Sequence, residues 1–185
     1  MCVMGPGAYK SSGRQNDDFY PTPPDVTEAL MRIEKFSGPI WEPCCGDGAL
    51  AKIIENHGYD VFGTDINPRG YGLKGNLFEF DYTYYNIITN PPFRLDNNKD
   101  VSDVIKHFMK FECPKIALLL KSTYWHAKSR LKIFDEYTPT WIYPLAWRPD
   151  FLLKGRPVME VSWVVWERGN KEYPRYRPLP RPKII

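Results

Sequence analysis

The sequence predicts an α/β domain whose mostly parallel sheet is covered by helices on both faces. Three observations lead to this fold class. Short apolar runs alternate with segments of helical periodicity, an order that favours parallel strands joined by helices. The run from Lys115 to Leu120 predicts a continuous apolar strand, typical of strands buried on both faces. A glycine-containing turn follows the first predicted strand, where open α/β sheets bind ligands.

Four segments predict helices. The first, Pro24 to Phe36, begins with proline and places Val26, Leu30 and Ile33 on one face, as expected of a helix packed on a core. The other three are Leu50 to Asn56, which His57-Gly58 ends; Val101 to Phe111, with Val104, Ile105 and Phe108 on one side; and Trp125 to Tyr137, which is basic and amphipathic.

Six short segments between and after these helices predict strands. The segment from Tyr59 to Ile66 alternates between apolar and polar residues and reaches Asp65 at its end. No internal repeat is present. The predicted strands are Pro39 to Trp41, Tyr59 to Ile66, Asn86 to Asn90, Lys115 to Leu120, Trp141 to Leu145 and Val158 to Trp166.

The length of 185 residues predicts one domain with a substantial core. We expect a flexible N-terminal segment over residues 1–18, the folded domain over residues 19–168 and a basic, Pro-rich tail over residues 169–185. No run approaches the ~20 apolar residues that cross a bilayer, and residues 1–18 lack the apolar core of a secretory signal. The cysteines and the three histidines have no metal-ligand spacing. A cytoplasmic protein with no membrane partner and no metal site is therefore expected.

The charge is unevenly distributed along the chain. Residues 1–120 hold 12 Lys+Arg and 16 Asp+Glu, whereas residues 121–185 hold 13 and 6. A basic C-terminal third suggests one face for a polyanion such as nucleic acid. A solvated surface with a basic tail gives the same composition, so this alternative stays open.

The segment from Glu42 to Gly48 carries the first candidate site. It joins a strand to a helix through Gly46 and Gly48, and Asp65 ends the next strand. Glycines at such a turn let a ligand approach the backbone, and the strand-end acid is placed to accept from two ribose hydroxyls. The third glycine of the dinucleotide fingerprint is missing, and so is the Gly-Lys-Ser/Thr of a P-loop. A nucleoside without phosphates fits better, with Glu42 available to a cationic group.

The segment Asn90-Pro91-Pro92-Phe93 carries the second candidate site. Each proline fixes its own φ, and both restrict the residue before them. The corner therefore presents an amide side chain, backbone carbonyls and an aromatic ring in a stiff loop. Such groups can hold a flat molecule that bears an amino group. An ordinary strand-terminating turn is the alternative.

Together these residues resemble a known family. Glu-Pro-x-x-Gly-x-Gly, a strand-end Asp and Asn-Pro-Pro-Phe, in this order, resemble the class I S-adenosylmethionine-dependent methyltransferases that act on amino groups. The resemblance is greatest to DNA adenine-N6 methyltransferases of the compact phage and prophage type, in which a segment like Tyr20-Pro21-Thr22-Pro23 precedes the first helix. It covers residues 19–168 and implies a Rossmann-like, mostly parallel seven-stranded sheet with helices on both faces.

The resemblance also implies roles for individual residues. S-adenosylmethionine would be the cofactor, and a flipped adenine would enter the Asn-Pro-Pro-Phe pocket. The family often has Asp-Phe in contact with the cofactor's adenine where Asn76-Leu77 stands, and asparagine keeps an acceptor there. Carried over by position, the catalytic residues are Asn90, Pro91, Pro92 and Phe93, and the cofactor-binding residues are Tyr20, Pro21, Thr22, Glu42, Cys44, Gly46, Gly48, Asp65, Ile66, Asn76 and Leu77.

The segment between the last two predicted strands is a candidate nucleic-acid-binding loop. It mixes aromatic rings that can stack on bases with cations that can neutralise phosphates. Basic residues of the predicted helix, Lys128, Arg130 and Lys132, with Lys121 before it, would extend that surface. A connecting loop with a core-facing Phe151 is the alternative. The loop candidates are Trp147, Arg148, Phe151, Lys154 and Arg156.

These observations predict an enzyme that methylates the 6-amino group of adenine in DNA. Three other functions stay open: methylation of an adenine or guanine amino group in RNA, methylation of a protein glutamine, and a non-catalytic cofactor-binding scaffold. No recognition domain follows residue 168 within these 185 residues. Sequence preference would then be short, weak, or supplied by a homodimer or another partner chain.

Overall fold

The computed structural model describes residues 19–80, 85–92, 95, 99–155 and 157–183. In this part of the chain the strands form one sheet in the order β3-β2-β1-β4-β5-β7-β6-β8. The strands are β1 Ile40–Glu42, β2 Val61–Asp65, β3 Leu73–Lys74, β4 Asn86–Thr89, β5 Lys115–Lys121, β6 Trp141–Pro144, β7 Val161–Glu167 and β8 Arg175–Tyr176.

The pairing of these strands confirms the predicted α/β class and mostly parallel sheet. β1 pairs in parallel with β2 and β4, β4 with β5, and β2 with β3. β7 runs antiparallel between β5 and β6. β3 and β8 were not predicted from the sequence, because each has only two residues and neither has an apolar pattern.

Four α-helices lie among the described residues, and one prediction is corrected. They are α1 Pro24–Met31, α2 Ala49–Asn56, α3 Val101–Phe108 and α4 Leu131–Glu136. The predicted helix from Trp125 to Tyr137 was wrong as one continuous element. The chain instead makes two 3-10 turns, Ser122–His126 and Lys128–Arg130, before α4. Ala127 between them has an extended backbone, with φ −116° and ψ 133°, which interrupts the helical hydrogen bonds.

The helices cover both faces of the sheet, as predicted. On one face Val26 and Leu30 of α1 and Ile54 of α2 pack in one apolar cluster; on the other Val104 of α3 and Ile133 of α4 pack in a second. Successive residues of β5 alternate between the two clusters, as side chains of a strand must. No helix in the described part of the chain is long and apolar enough to span a membrane.

The segment expected to form a tail lies against the domain. β8 extends the sheet by pairing in parallel with β6, and Leu179 is buried in the first apolar cluster. Beyond it, Arg181 Nε donates to Asp25 Oδ2 of α1 at 2.7 Å. Arg32 donates to the Lys183 carbonyl at 2.9 Å. The C-terminal segment therefore holds α1 on the sheet.

A buried ionic network fixes the other end of α1. Glu34, just after the helix, accepts from Lys115 Nζ of β5 at 2.5 Å and from the Tyr143 hydroxyl of β6 at 2.6 Å. Lys115 also pairs with Glu167 of β7 at 2.9 Å. Burial raises the pKa of Tyr143, so its hydroxyl stays a donor. The Glu34 carboxylate thus joins the helix to β5 and β6, and Lys115 extends the network to β7.

We expect Lys115→Met to lower the free energy of unfolding by about 3 kcal/mol, because it leaves the buried Glu34 carboxylate without its cation. Chemical denaturation would measure the change. Arg168→Met is the matched control, since the Arg168–Glu112 pair is more than half exposed and such pairs contribute about 0–1 kcal/mol. Equal losses in the two variants would contradict the role of this network.

Candidate functional site

A pocket opens at the carboxyl ends of β1, β2 and β4. Its empty volume is about 1030 Å³, including space open to solvent. Most of the catalytic and cofactor-binding residues predicted from the sequence line this pocket. Gly48 is not on its wall, and Phe93 lies outside the described residues. The nominated residues that line it are Tyr20, Pro21, Thr22, Glu42, Cys44, Gly46, Asp65, Ile66, Asn76, Leu77, Asn90, Pro91 and Pro92.

The floor of the pocket is the turn between β1 and α2. Gly46 has a φ of +53°, and a Cβ there would lie 2.5 Å from the Phe19 ring. Its N–H donates to Asp65 Oδ2 at 2.9 Å, while Asp65 Oδ1 accepts from the Asn67 N–H at 2.8 Å. Each carboxylate oxygen has a second lone pair. Asp65 can therefore still accept from a ligand at the pocket wall.

Gly48 supports this turn from outside the pocket. It precedes α2 with a φ of +78°, and a Cβ there would lie 2.4 Å from the Tyr71 ring. The Tyr71 hydroxyl in turn donates to Glu55 of α2 at 2.7 Å. The predicted role of Gly48 in holding the cofactor is thus indirect in this geometry, since its missing side chain admits Tyr71.

Glu42 places a buried carboxyl group on the pocket wall. The residue is 2% exposed, and Oε2 has no hydrogen-bond partner in the described part of the chain. Burial raises the pKa of Glu42 well above its ordinary value, and nearby Asp65 and Asp47 raise it further. An orphaned buried acid in a cavity is a site where a cationic ligand would be stabilised.

The two cysteines of the turn carry no thiolate. Burial raises the pKa of Cys44 far above its usual range and that of Cys45 to about 12. Because the thiolate is the nucleophilic form, neither residue is placed to form a covalent intermediate near neutral pH. Cys44 and Cys45 serve the pocket as apolar wall residues.

Asn90 is oriented by a residue far away in sequence. Its Nδ2 donates to Thr22 Oγ1 at 3.2 Å, and Thr22 is buried just before α1. No other hydrogen bond of the Asn90 side chain occurs among the described residues. This bond leaves the amide oxygen as the group that can accept from a ligand in the pocket.

The Asn76 side chain hydrogen-bonds to the backbone of the turn that follows it. Its side chain accepts from the Phe78 N–H at 3.1 Å and caps the 3-10 turn Leu77–Glu79. Below that turn, His107 of α3 bonds to the Leu77 carbonyl at 2.9 Å. The turn thereby holds Leu77, which is buried and lines the pocket.

Part of the pocket wall was not predicted from the sequence. The Arg69 guanidinium lies over the Phe19 ring, 4.4 Å from its centroid, and the Arg69 N–H donates to the Gly46 carbonyl at 3.0 Å. Phe19 could have been found from its place beside Tyr20. Arg69 stands in an irregular turn with no signal of its own. The other wall residues not nominated are Pro43, Cys45, Asp47, Ala49, Leu50, Asn67, Gly75, Leu95 and Met159.

The candidate nucleic-acid-binding loop meets the pocket at one residue. Phe151 is buried in the first apolar cluster, as expected for a connecting loop with a core-facing Phe151. It also lines the pocket. Trp147 is half-buried against the same cluster, and Arg148 pairs with Glu160 at 2.5 Å. Lys154 is exposed, and Arg156 lies outside the described residues.

Arg130 does not extend a basic surface as the sequence suggested. Its guanidinium forms an ion pair with Asp100 at 2.9 Å and also contacts Ser102. Asp100 caps α3 and accepts from the Ser102 N–H at 2.7 Å. Arg130 therefore fixes the start of α3 near the pocket.

Comparison with solved structures identifies the fold. A protein from Listeria monocytogenes described as a class I S-adenosylmethionine-dependent methyltransferase aligns with a TM-score of 0.64 and 14% identity, over 88% of this chain and 67% of that one. A protein from Pyrococcus horikoshii described as an RNA methyltransferase gives 0.60 and 13%, over 80% and 85%. The M protein of the type I restriction enzyme EcoKI (EC 2.1.1.72) gives 0.57 and 12%, over 85% and 45%.

No family model matches the chain, and no curated protein matches it in sequence. The chain therefore resembles these proteins in structure, whereas its sequence identity to them is low. It shows that the chain has the Rossmann-like fold of class I methyltransferases, with a large open sheet that is mostly parallel.

The raised pKa of Glu42 predicts a dependence of stability on pH. The unfolded chain loses this proton near pH 4.5, whereas the folded protein keeps it to higher pH. The stability from this group is thus complete below pH 4.5 and is lost as the pH rises toward the raised pKa. Glu42→Gln, which does not titrate, should gain stability relative to the wild type over this range.

Urea denaturation of both proteins from pH 4.5 to 8 would measure this trend. The relative gain of Glu42→Gln should increase with pH, by up to about 1.4 kcal/mol for each pH unit, until the pH passes the raised pKa of Glu42. A difference between the two proteins that stays constant with pH would contradict the assignment.

Proposed function

We propose that this protein uses S-adenosylmethionine to methylate the exocyclic 6-amino group of adenine in DNA. One observation carries the proposal: the Asn90-Pro91-Pro92 corner shares a pocket with the Gly46 turn and the Asp65 carboxylate. In this proposal, the site for a nucleoside-bearing donor and the site for an amino group would open into the same space. A structural neighbour described as a class I methyltransferase shares the fold that holds this pocket.

The residues present fit S-adenosylmethionine. Glu42 Oε2 is an orphaned buried acceptor that suits the positive charge of the ligand. Asp65 keeps acceptor capacity for ribose hydroxyls, with Ile66 and Leu77 as apolar wall residues for a purine. Tyr20, Pro21 and Thr22 would border the methionine part. When bound, the cofactor supplies an electrophilic methyl group on a sulfonium.

The work of the chain itself is to position an amine. The lone pair of an adenine amino group is delocalised into the ring, so the free amine is a poor nucleophile. The Asn90 amide oxygen and the Pro91 carbonyl would accept its two hydrogens and favour a more tetrahedral nitrogen. The lone pair could then point toward the methyl donor. Such positioning and preorganised dipoles supply large rate effects without any acid–base residue.

Proton loss after transfer needs no strong base. The methylated amine is a cation and is acidic, so a water molecule can take its proton. A mechanism without a strong base is consistent with the pocket, because burial raises the pKa of Glu42 and of the Cys44 thiol. Phe93 remains the predicted stacking partner of the base.

The assignment of DNA rests on the sequence pattern. One structural neighbour belongs to a restriction enzyme and another is described as acting on RNA, so RNA is the second candidate. We propose a cytoplasmic enzyme of the compact phage type, whose catalytic domain begins at residue 19 and includes β8 of the sheet and Leu179 of the core. Its sequence recognition would come from loops, a second copy or a partner chain.

Methyl transfer from labelled S-adenosylmethionine to duplex DNA, denatured DNA and RNA tests the proposal, with the products digested to nucleosides. We expect label on the amino group of deoxyadenosine. Asn90→Ala should lower kcat by about 10²–10³-fold, the usual cost of removing one preorganised dipole. Asn170→Ala, at a surface turn, is the matched control.

Label found only in RNA would replace the substrate and keep the mechanism. Cofactor binding without transfer to any nucleic acid would point to a protein substrate or a missing partner. An Asn90→Ala enzyme as active as the wild type would overturn the assigned chemistry.

The Thr22–Asn90 hydrogen bond predicts a positioning role for Thr22. Without the hydroxyl, the Asn90 amide can turn its NH₂ toward the substrate. Thr22→Val should lower kcat about fivefold, since a hydrogen bond contributes about 1 kcal/mol, with cofactor affinity changed less than threefold. Thr22→Ser keeps the acceptor and should restore kcat.

The matched control is Thr27→Val in α1. Thr27 is fully buried and its hydroxyl has no partner among the described residues, so kcat should not change. Steady-state kinetics that separate kcat from KM would decide the matter. Equal loss in Thr22→Val and Thr22→Ser would contradict the positioning role.

A further inference from the structure

A loop rooted in the pocket wall leaves its middle in solvent. We call it the rim loop, meaning the described residues 151–155 and 157–159. Phe151 at its start and Met159 at its end both line the pocket that contains Asn90. Leu153 is two residues from Phe151. At about 3.5 Å per residue, its backbone lies within about 7 Å of the wall.

Two apolar side chains of the rim loop face water. Leu153 is 90% exposed and Val158 is 85% exposed. Between the buried Phe151 and the partly buried Met159, these side chains gain nothing from the core. A large side chain on the rim of a pocket, exposed in the free protein, lies where a molecule that enters the pocket would contact it.

The backbone at Leu153 is strained in a way that the core does not explain. Its φ is +53°, the only left-handed backbone at a non-glycine residue in the described part of the chain. A bulky residue in this region is uncommon, and such strain concentrates at functional sites. Asp150 braces the turn, because its carboxylate accepts from the N–H groups of Lys154 at 3.2 Å and Gly155 at 2.5 Å.

We propose that Leu153 enters the base stack of duplex DNA and fills the gap that the adenine leaves when it turns into the pocket. This inference rests on the proposed function, since it requires duplex DNA as substrate. Unstacking a base costs a few kcal/mol, and apolar wedges inserted between base steps offset part of that cost. Lys154, next in the chain and exposed, is placed to contact a phosphate.

A wedge fits these observations better than a docking face for a protein. The exposed apolar residues of the rim loop are two single side chains, of which Leu153 lies on the turn that Asp150 braces, whereas broad apolar patches mark binding sites for proteins. A braced tip also loses little conformational freedom when it enters the stack. Val158 would then contact the sugar edge beside the opened step.

The test compares Leu153→Asn with the wild type on the same unmethylated DNA, as a duplex and after heat denaturation. Asparagine tolerates the left-handed backbone and removes only the apolar character. We expect methylation of duplex DNA to fall at least tenfold and that of denatured DNA to fall less than threefold. Leu153→Phe should retain duplex activity. Tyr173→Asn, which is 92% exposed in a groove away from the pocket, is the control.

Permanganate oxidation of unstacked thymines gives a readout that needs no methyl transfer. The wild type bound to the duplex should expose the thymines opposite flipped adenines, and Leu153→Asn should expose fewer. Equal losses of methylation on duplex and denatured DNA, or unchanged thymine reactivity, would overturn the wedge and leave the proposed function standing. A wild-type protein that methylates neither form of DNA would overturn both.

Discussion

The hydrogen bond from the Gly46 N–H to the Asp65 carboxylate is the interaction on which the pocket depends. β1 and β2 are parallel neighbours, so the turns that follow them emerge side by side. The 2.9 Å bond joins these turns. It also aims the carboxylate, since a backbone donor fixes one oxygen while other lone pairs face the pocket. The left-handed backbone of Gly46 allows the approach. The pocket floor thus requires the pairing of β1 with β2, the backbone of Gly46 and the carboxylate of Asp65 together.

The second half of the site depends on how α1 is held. The Trp163 ring of β7 donates to the Val26 carbonyl at 2.9 Å, and Glu34 joins the end of the helix to Lys115. Arg181 binds Asp25 in the first turn. Because three distant segments fix α1, Thr22 just before it meets Asn90. The orientation of one amide therefore reflects contacts spread over most of the chain.

Local signals explain which features were predictable from the sequence. The Gly46 turn, Asp65 and the Asn90 corner each lie beside a strand whose pattern places them at one sheet edge. The helical break at Ala127 was not predictable, because its cause lies partly in Arg130 turning to Asp100, a contact across 30 residues. The pairing of β8 was equally hidden, since two polar residues at a sheet edge carry no periodicity. Tertiary contacts decided both.

The charge of the C-terminal third has another meaning in the folded chain. Three of its arginines, Arg130, Arg168 and Arg181, pair with acids from residues 1–120. The asymmetry in the sequence is therefore partly complementarity within the molecule. Arg148 is more than half exposed in its ion pair, and such pairs are weak enough to exchange their carboxylate for a phosphate. In the proposed function, electrostatics would guide a polyanion toward the rim loop, whereas geometry in the pocket would select the amino group.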